Sequence, residues 1–252
     1  MKIVSYNLFG LKSRKENLST LIKDFEPDVI CLQETHHPVP YLRHSFLRDY
    51  EIQHLEPISG KGEGVGILSS AGLEIIDSLP EYQKTFRNAV CCRVGDYYVV
   101  NLHAPWKYYL GRYGYNHKQR WFEELKNWIM SSFNQNDKVI LSGDFNINYD
   151  VKSLEEDYGD YNGPMIGSRP LEISLMESIL DLGFTDAFQY CGESSDEGFT
   201  WRDPEGVGKS QRIDYFLCSN NILDELHSCK TLTSIRERED ASDHIPLMLE
   251  LN

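Results

Sequence analysis

Short apolar segments rich in Val, Ile, Leu and Cys recur along the chain and are separated by turn residues, which is the pattern of buried β-strands. The pattern predicts strands at residues 2–7, 29–33, 64–69, 73–78, 89–94, 97–102, 138–142, 212–218 and 246–251. A two-residue turn at Gly95-Asp96 predicts a hairpin over 89–102, and residues 64–78 resemble a second hairpin.

Apolar residues at helical spacing predict helices between these strands, at residues 13–25, 117–133 and 171–182. Gly183 follows the last of them, where glycine favours a helix end. The strand–helix–strand units predict parallel pairs, whereas hairpins predict antiparallel pairs. We therefore expect an α/β fold, with two mixed β-sheets packed face to face and helices outside, in a single domain at 1–252.

Composition narrows the class of protein. The net charge is −14 and the pI is about 5.0, which argues against a protein that coats DNA non-specifically but leaves room for an enzyme that holds a phosphodiester locally. The six cysteines have no CxxC spacing and suit reduced core positions. The sequence contains neither a signal-peptide pattern nor an apolar segment of membrane-spanning length, so we expect a cytoplasmic location without membrane binding.

Polar or ionisable residues stand at the ends of the predicted strands. Asp144 and Asn146 follow the strand at 138–142 through a turn at Gly143, and side chains two apart in extended backbone share one side. The other strand ends carry Asn7, Gln33, Glu34, His103, Arg212, Asp214, Ser242, Asp243 and His244. Loops at one sheet edge can gather such groups, so the set predicts a hydrolytic or metal site.

Each residue also has an ordinary structural interpretation. Asn7 suits a turn and His103 suits a loop. Asp214 could pair with Arg212, and Asp243 could lie in a surface turn. The combination of all of them at strand ends favours the functional interpretation.

Several of these residues form motifs that resemble those of the endonuclease/exonuclease/phosphatase superfamily. They are Tyr6-Asn7, Leu32-Gln33-Glu34, Gly143-Asp144-Phe145-Asn146, Arg212-Ile213-Asp214 and Ser242-Asp243-His244, and they cover the chain from end to end. The resemblance implies a four-layer α/β sandwich and Mg²⁺-dependent hydrolysis of phosphoesters, with Mn²⁺ as a substitute ion.

The residue types agree with that chemistry. Glu34 is the expected metal ligand, with Asp243 as a second ligand or a neighbour of the ligands, because Mg²⁺ prefers carboxylate oxygen. Asp144 would orient or deprotonate the attacking water. Asn146 would hold that water or the developing charge, and Asn7 would position Asp144 or the metal ligands.

Two histidines are expected to contact phosphate. His244 and His103 can donate hydrogen bonds to phosphoryl oxygens, which supplies electrostatic stabilisation. Asp214 is the expected partner that orients His244 and keeps it protonated.

Within the superfamily, residues 117–121, 167–172, 180–188 and 199–202 resemble exonuclease III and the abasic-site endonucleases. Three positions depart from that branch. His117 replaces a catalytic tyrosine, with Tyr113 and Tyr115 nearby; Gln211 replaces an apolar residue of the abasic pocket. Phe9 replaces an acid or amide two residues after Asn7.

A second branch is represented by Leu102-His103-Ala104-Pro105, which resembles the phosphate-contacting histidine of pancreatic-type deoxyribonucleases and of phospholipid or nucleotide phosphatases. Those enzymes pair the histidine with an upstream glutamate, for which Glu63 is the candidate.

We therefore expect a phosphodiesterase that acts on nucleic acid, most consistent with a DNA endonuclease or exonuclease. Two alternatives stay open: a phosphatase or phosphodiesterase of a small molecule or lipid, and a binding module that kept the fold without activity. Metal-dependent cleavage of a generic phosphodiester separates the enzymes from the binding module.

Overall fold

The computed structural model describes residues 1–37, 45–56, 64–80, 88–105, 114–149, 170–192, 198–202 and 210–252. Its strands are β1 (Lys2–Asn7), β2 (Val29–Gln33), β3 (Glu51–Leu55), β4 (Val65–Ser69), β5 (Glu74–Ile75), β6 (Ala89–Val94), β7 (Tyr97–His103), β8 (Lys138–Asp144), β9 (Phe184–Asp186), β10 (Asp214–Ser219), β11 (Leu226–Thr231) and β12 (Leu247–Leu251). Its α-helices are α1 (Leu11–Phe25), α2 (Gly114–Ser132), α3 (Pro170–Leu180), α4 (Ala187–Tyr190) and α5 (Thr233–Arg236), with 3-10 helices at Ser45–Leu47 and Asn220–Glu225.

The strands form two six-stranded mixed sheets. The first has the order β11-β12-β1-β2-β4-β3 and the second β5-β6-β7-β8-β10-β9. β1 and β2 are parallel, as are β7 and β8, and their other neighbours are antiparallel. Both strand–helix–strand predictions and the hairpin across Gly95 are therefore confirmed.

The second predicted hairpin, at 64–78, is wrong. β4 pairs with β2 and β3 in the first sheet, whereas β5 pairs with β6 in the second. The chain between β4 and β5 thus passes from one sheet to the other. The predicted strand at 73–78 also shortens to Glu74–Ile75, and both residues are exposed.

Three strands were not predicted: β3, β9 and β11. All three lie at sheet edges. β3 and β11 each bury a single residue, His54 in β3 and Cys229 in β11, so neither shows the apolar pattern that identifies an interior strand.

Apolar side chains fill the space between the sheets and the two outer spaces beneath the helices. The middle core includes Ile3 and Val29 of the first sheet with Val99 and Phe216 of the second. α1 covers the outer face of the first sheet, and α2 and α3 cover that of the second. The predicted four-layer α/β sandwich is confirmed. None of the helices in the described ranges is long and apolar enough to span a membrane.

A polar contact between the two sheets crosses the middle core. Gln33 donates from Nε2 to Oδ1 of Asn101 at 2.6 Å, and the Asn101 amide donates to the carbonyls of Leu32 and Gly66 at 2.9 and 2.8 Å. All these bonds are buried, so they hold the two sheets at a fixed offset beside the strand ends that carry the predicted site residues.

Candidate active site

The predicted site residues come together at one end of the sandwich. Asn7 ends β1, and Glu34 directly follows the parallel strand β2. In the second sheet His103 pairs with Asp144 at the ends of parallel strands, and Asp214 lies opposite Asp144 at the start of β10. The carboxyl ends of parallel strands meet at one sheet edge, which is why residues far apart in sequence converge here.

Gly143 allows the close approach of β7 and β8. Its φ is +130°, and a Cβ at this position would lie 2.0 Å from the carbonyl oxygen of Leu102. No other residue fits this position without moving backbone, so the glycine fixes where Asp144 stands.

The Asn7 amide links the two sheets at the site. Its Nδ2 donates to Oε1 of Glu34 and to Oδ2 of Asp144, both at 3.0 Å. Its Oδ1 accepts from the backbone N–H of Phe9 at 3.1 Å, which fixes the orientation of the amide. Asn7 thus holds two carboxylates, one from each sheet, on either side of one NH₂ group.

Glu34 offers an ionised, partly exposed carboxylate. The side chain is 18% exposed, with Nε2 of His36 at 3.3 Å and Nε2 of His103 at 3.6 Å. Burial alone raises the pKa of Glu34, but the hydrogen bond from His36, the charge of His103 and the Asn7 amide outweigh it and lower the pKa to about 2. The group is an anion at any pH near neutrality.

Asp144 has the opposite proton affinity. Its Oδ1 accepts from the backbone N–H of Asn146 at 2.8 Å, and its Oδ2 lies 3.6 Å from His103 Nε2. Burial and the charge of Asp214 raise the pKa of Asp144 to about 7, against the opposing charges of His244 and His103. A carboxyl of this kind exchanges a proton near neutral pH.

His244 is held as a cation. Burial lowers its pKa, but the charge of Asp214 and the hydrogen bond from His244 Nδ1 to Asp214 Oδ2, 2.9 Å long, raise it to about 10. Its Nε2 lies 3.8 Å from Asp144 Oδ2. The hydroxyl of Ser242 accepts from the His244 backbone N–H at 3.2 Å and donates to the Asn7 carbonyl at 2.8 Å, which joins the last motif to the first.

The alternative pairing of Asp214 with Arg212 is not what the structure shows. Arg212 Nη1 donates to Asp186 Oδ2 at 2.5 Å, and its guanidinium stacks on Phe188 and Tyr215, 5.4 and 4.7 Å from the ring centroids. Residues 212 and 214 therefore serve different parts of the molecule.

Asn146 lies in a left-handed turn with φ +51°. Its Nδ2 donates to the carbonyl of Ala104 at 2.8 Å. Its own carbonyl accepts from Lys118 Nζ at 2.8 Å, and Lys118 also donates to Glu172 Oε1 at 2.6 Å. The turn that carries Asn146 is thus fixed by α2 and α3.

Sequence reasoning missed both Lys118 and His36. Lys118 is 1% exposed, and burial lowers its pKa against the raising effect of Glu172. The available signal was its position one turn before Trp121 and Phe122, on the buried face of the helix. For His36 the signal was its place two residues after Glu34.

Other predicted residues stand further from this geometry or outside it. Asp243 accepts from Trp201 Nε1 at 2.9 Å and is half-buried. His117 is half-buried in the first turn of α2, and the side chain of Tyr115 is not among those described. Glu63 and Tyr113 lie outside the described residues.

Two groups in the described part of the chain could hold a metal ion. One is Glu34, His103 and Asp144; the other is Asp144, Asp214 and His244, and within each the ligand atoms lie within 4.8 Å of one another. A protonated His244 disfavours a cation in the second group, so the first group is the better metal site. Asp243 belongs to neither group.

The chain is similar over its whole length to enzymes that act on DNA. The chain is 24% identical over 271 residues to exodeoxyribonuclease III of Haemophilus influenzae, with 99% of each chain covered. It is 24% identical over 269 residues to a DNA-(apurinic or apyrimidinic site) endonuclease of Dictyostelium discoideum, with 100% of this chain and 71% of that one covered.

Solved structures share the fold along the whole chain. An AP endonuclease from Archaeoglobus fulgidus superposes with a TM-score of 0.87 at 20% identity, covering 100% of this chain and 99% of that one. A 3′-5′ exonuclease from Neisseria meningitidis gives 0.86 at 24% identity and full coverage of both. The model of the Endonuclease/Exonuclease/phosphatase family matches residues 4–244, and the chain therefore belongs to that family.

Proposed function

We propose that this protein is a divalent-metal-dependent phosphodiesterase that cleaves DNA as an endonuclease or exonuclease. The observation that carries the proposal is the Asn7 amide, which donates to Glu34 and to Asp144 and so holds one carboxylate from each sheet at the site. Hydrolysis of a phosphodiester needs one group for a cation and another for a proton. The names of the similar DNA enzymes favour DNA as the substrate.

The donor set fits a hard cation, and Mg²⁺, or Mn²⁺ in its place, is the proposed ion. Glu34 is anionic and partly exposed, which leaves coordination positions for water and substrate phosphate. We propose Asp243, held by Trp201, as a neighbour of the ligands that adds negative charge. A bound cation would neutralise phosphate charge and favour ionisation of water.

Asp144 is the proposed proton acceptor for the attacking water. Its buried position and its pKa near 7 suit a general base, because proton transfer is most effective when the pKa lies near the working pH. The Asn7 amide and the Asn146 backbone N–H each hold one of its oxygens. The Asn146 side chain, oriented by the Ala104 carbonyl, is proposed to hold the water.

His244 and His103 are the proposed donors to the phosphoryl oxygens. His244 keeps its proton because of Asp214, so it presents a positive N–H beside Asp144. His103 Nε2 lies 3.6 Å from both Glu34 and Asp144, between the proposed metal ligand and the proposed proton acceptor. Together they supply preorganised charge for the transition state.

A phosphatase activity on DNA ends is the second candidate. A Neisseria enzyme described as a 3′ phosphatase, bound to product DNA hairpin, has a TM-score of 0.85 to this chain at 24% identity. The same site chemistry serves a phosphomonoester. A cytoplasmic location remains a prediction.

The test uses purified protein with Mg²⁺, Mn²⁺ or EDTA, on abasic duplex, intact duplex, single-stranded DNA, RNA and 3′-phosphorylated DNA. We expect metal-dependent cleavage of DNA that EDTA removes and that Asp144→Asn abolishes. Asp181→Asn, which changes an exposed carboxylate, is the matched control. Cleavage of RNA alone, or binding of every substrate without turnover, would contradict the proposal.

A further inference from the structure

Phe9 is an exposed aromatic residue at the edge of the candidate site. Its ring is 50% exposed, although it stands two residues after Asn7 and its backbone N–H is bonded to the Asn7 amide. Of the other large apolar side chains that are similarly exposed in the described ranges, Ile75 and Tyr190 belong to elements that carry none of the site residues named above, and Met130 lies twelve residues after Lys118 in α2. Phe9 therefore combines exposure with a place beside the candidate site, where its ring can contact a bound substrate.

The backbone at Phe9 gives no local reason for an aromatic residue. Its φ is +46°, in the left-handed region that bulky side chains avoid and that Gly or Asn occupies more easily. The turn is fixed by its neighbours: the N–H of Leu8 donates to the Gln33 carbonyl at 3.0 Å, and that of Gly10 donates to the Glu34 carbonyl at 2.8 Å. The backbone of Phe9 is therefore fixed in a strained turn, and strain of this kind is common at functional sites.

The surroundings of the ring match a nucleotide. The Arg14 guanidinium lies 5.5 Å from its centroid, and the ring of His36 is 6.1 Å away in an edge contact. Nε2 of His36 is in turn 3.3 Å from Glu34, the proposed metal ligand. An aromatic face, a cation and a metal-binding carboxylate thus lie side by side, which suits a base, a phosphate and a metal-bound phosphate.

We propose that Phe9 stacks on a nucleobase next to the cleaved phosphodiester bond and so selects nucleic acid whose base there is unpaired. This inference rests on the proposed function. A base inside a duplex shows its face only to its neighbours, whereas a single strand, a frayed end or an extruded base can stack on a protein ring. The local stack and Arg14 also supply affinity that a chain with net charge −14 lacks globally.

The experiment compares Phe9→Leu and Phe9→Trp with wild type on single-stranded oligonucleotides. The substrate either keeps its bases or lacks one base beside the cleaved bond, tested at each flanking nucleotide in turn. Tyr190→Leu is the matched control, because it removes an aromatic ring with 48% exposure. Circular dichroism and melting temperature verify that each variant is folded.

We expect Phe9→Leu to raise KM about tenfold on the base-bearing strand, in keeping with the strength of base–aromatic stacking. On the strand that lacks the stacked base, KM should be the same for Phe9→Leu and wild type, and kcat should be unchanged on both. Phe9→Trp should retain the wild-type KM, and its fluorescence should be quenched when DNA binds in Ca²⁺.

Equal KM values for Phe9→Leu and wild type on both strands would overturn the inference, as would an equal loss on both. If wild type cleaves none of the nucleic acids, the proposed function fails and this inference fails with it. If wild type cleaves DNA and the KM ratio of Phe9→Leu to wild type is the same on both strands, only the role proposed for Phe9 is wrong.

Discussion

Glu34 and Asp144 are two carboxylates bound to the same Asn7 nitrogen, yet their surroundings drive their protons in opposite directions. Glu34 is partly exposed and faces His36 and His103, and its pKa falls to about 2. Asp144 is fully enclosed and faces Asp214, and its pKa rises to about 7.

The comparison shows that the position of each carboxylate in the sandwich, and not its residue type, decides whether it suits metal binding or proton transfer. Glu34 belongs to the first sheet and lies at the open side, where a cation can enter. Asp144 belongs to the second sheet and lies beneath it, where water is excluded and proton affinity is high. The predictions that follow test this division, from the largest expected effect to the smallest.

Asp144→Asn should remove the proposed proton acceptor for the attacking water. We expect kcat/KM to fall by about 10⁴-fold, since a positioned general base contributes up to that factor. The metal concentration that gives half-maximal activity should rise less than in Glu34→Gln, because Glu34 is intact and an asparagine at residue 144 still offers an oxygen to the cation. A shift in that concentration as large as the loss of rate would mean that Asp144 is itself a principal metal ligand.

Glu34→Gln should weaken binding of the metal ion. We expect the Mg²⁺ concentration for half-maximal activity to rise about 100-fold, the upper range for losing a group that supports a metal site. Activity should recover in high Mg²⁺, which Asp144→Asn should not do. Isothermal titration with Mn²⁺ measures the affinity without turnover, and an unchanged affinity would remove Glu34 from the metal site.

Asp214→Asn should change the pH dependence of activity, because Asp214 keeps His244 protonated. The pKa of His244 is raised to about 10, so the stability gained from the pair is complete below about pH 6.5 and is lost as the pH rises through about 10. Without the Asp214 charge, the pKa should fall toward the ordinary value, and at pH 7.5 only about one-tenth of His244 would keep its proton.

The measurement is a pair of pH–rate profiles for kcat/KM between pH 6 and pH 10.5, with urea midpoints at pH 7 and pH 10. We expect the alkaline limb of Asp214→Asn to move to lower pH, and its stability to vary less with pH than that of wild type. Coincident alkaline limbs would show that the Asp214–His244 pair does not support activity.

Lys118→Met should affect stability more than chemistry. It removes the buried ion pair with Glu172, which costs up to about 3–5 kcal/mol, and Lys118→Met with Glu172→Gln should recover most of that loss. The folded single variant should retain kcat within about tenfold of wild type, because Lys118 is hydrogen-bonded to the backbone of Asn146 and not to Asp144 itself. Chemical denaturation and kcat of the two variants test this.

Sequence reasoning worked where one physical rule decides position. Parallel strands carry their following loops to one edge, so Asn7, Glu34, His103 and Asp144 could be brought together from strand ends alone. Their roles remain predictions. Edge strands such as β3 escaped because they bury too few apolar residues to show a pattern.

Residues that act through another element escaped for a different reason. Lys118 lies in a helix, and only the packing of α2 against α3 shows that its ammonium reaches Glu172 and the Asn146 carbonyl. Packing also decides that Arg212 pairs with Asp186 and that Asp214 pairs with His244. Sequence alone showed the two residues close together but not which way each faces.

The pairing of β12 with β1 in the middle of the first sheet has a consequence for synthesis of the protein. Ser242, which accepts from the His244 N–H, must reach the carbonyl of Asn7. A ribosome adds about 5–20 residues per second, so roughly 10–50 s separate the translation of Asn7 from that of His244. During that interval β1 has a neighbour on one side only, and the candidate site lacks its imidazolium. While it is still being translated, the chain is therefore close to messenger RNA and ribosomal RNA but has no complete candidate active site.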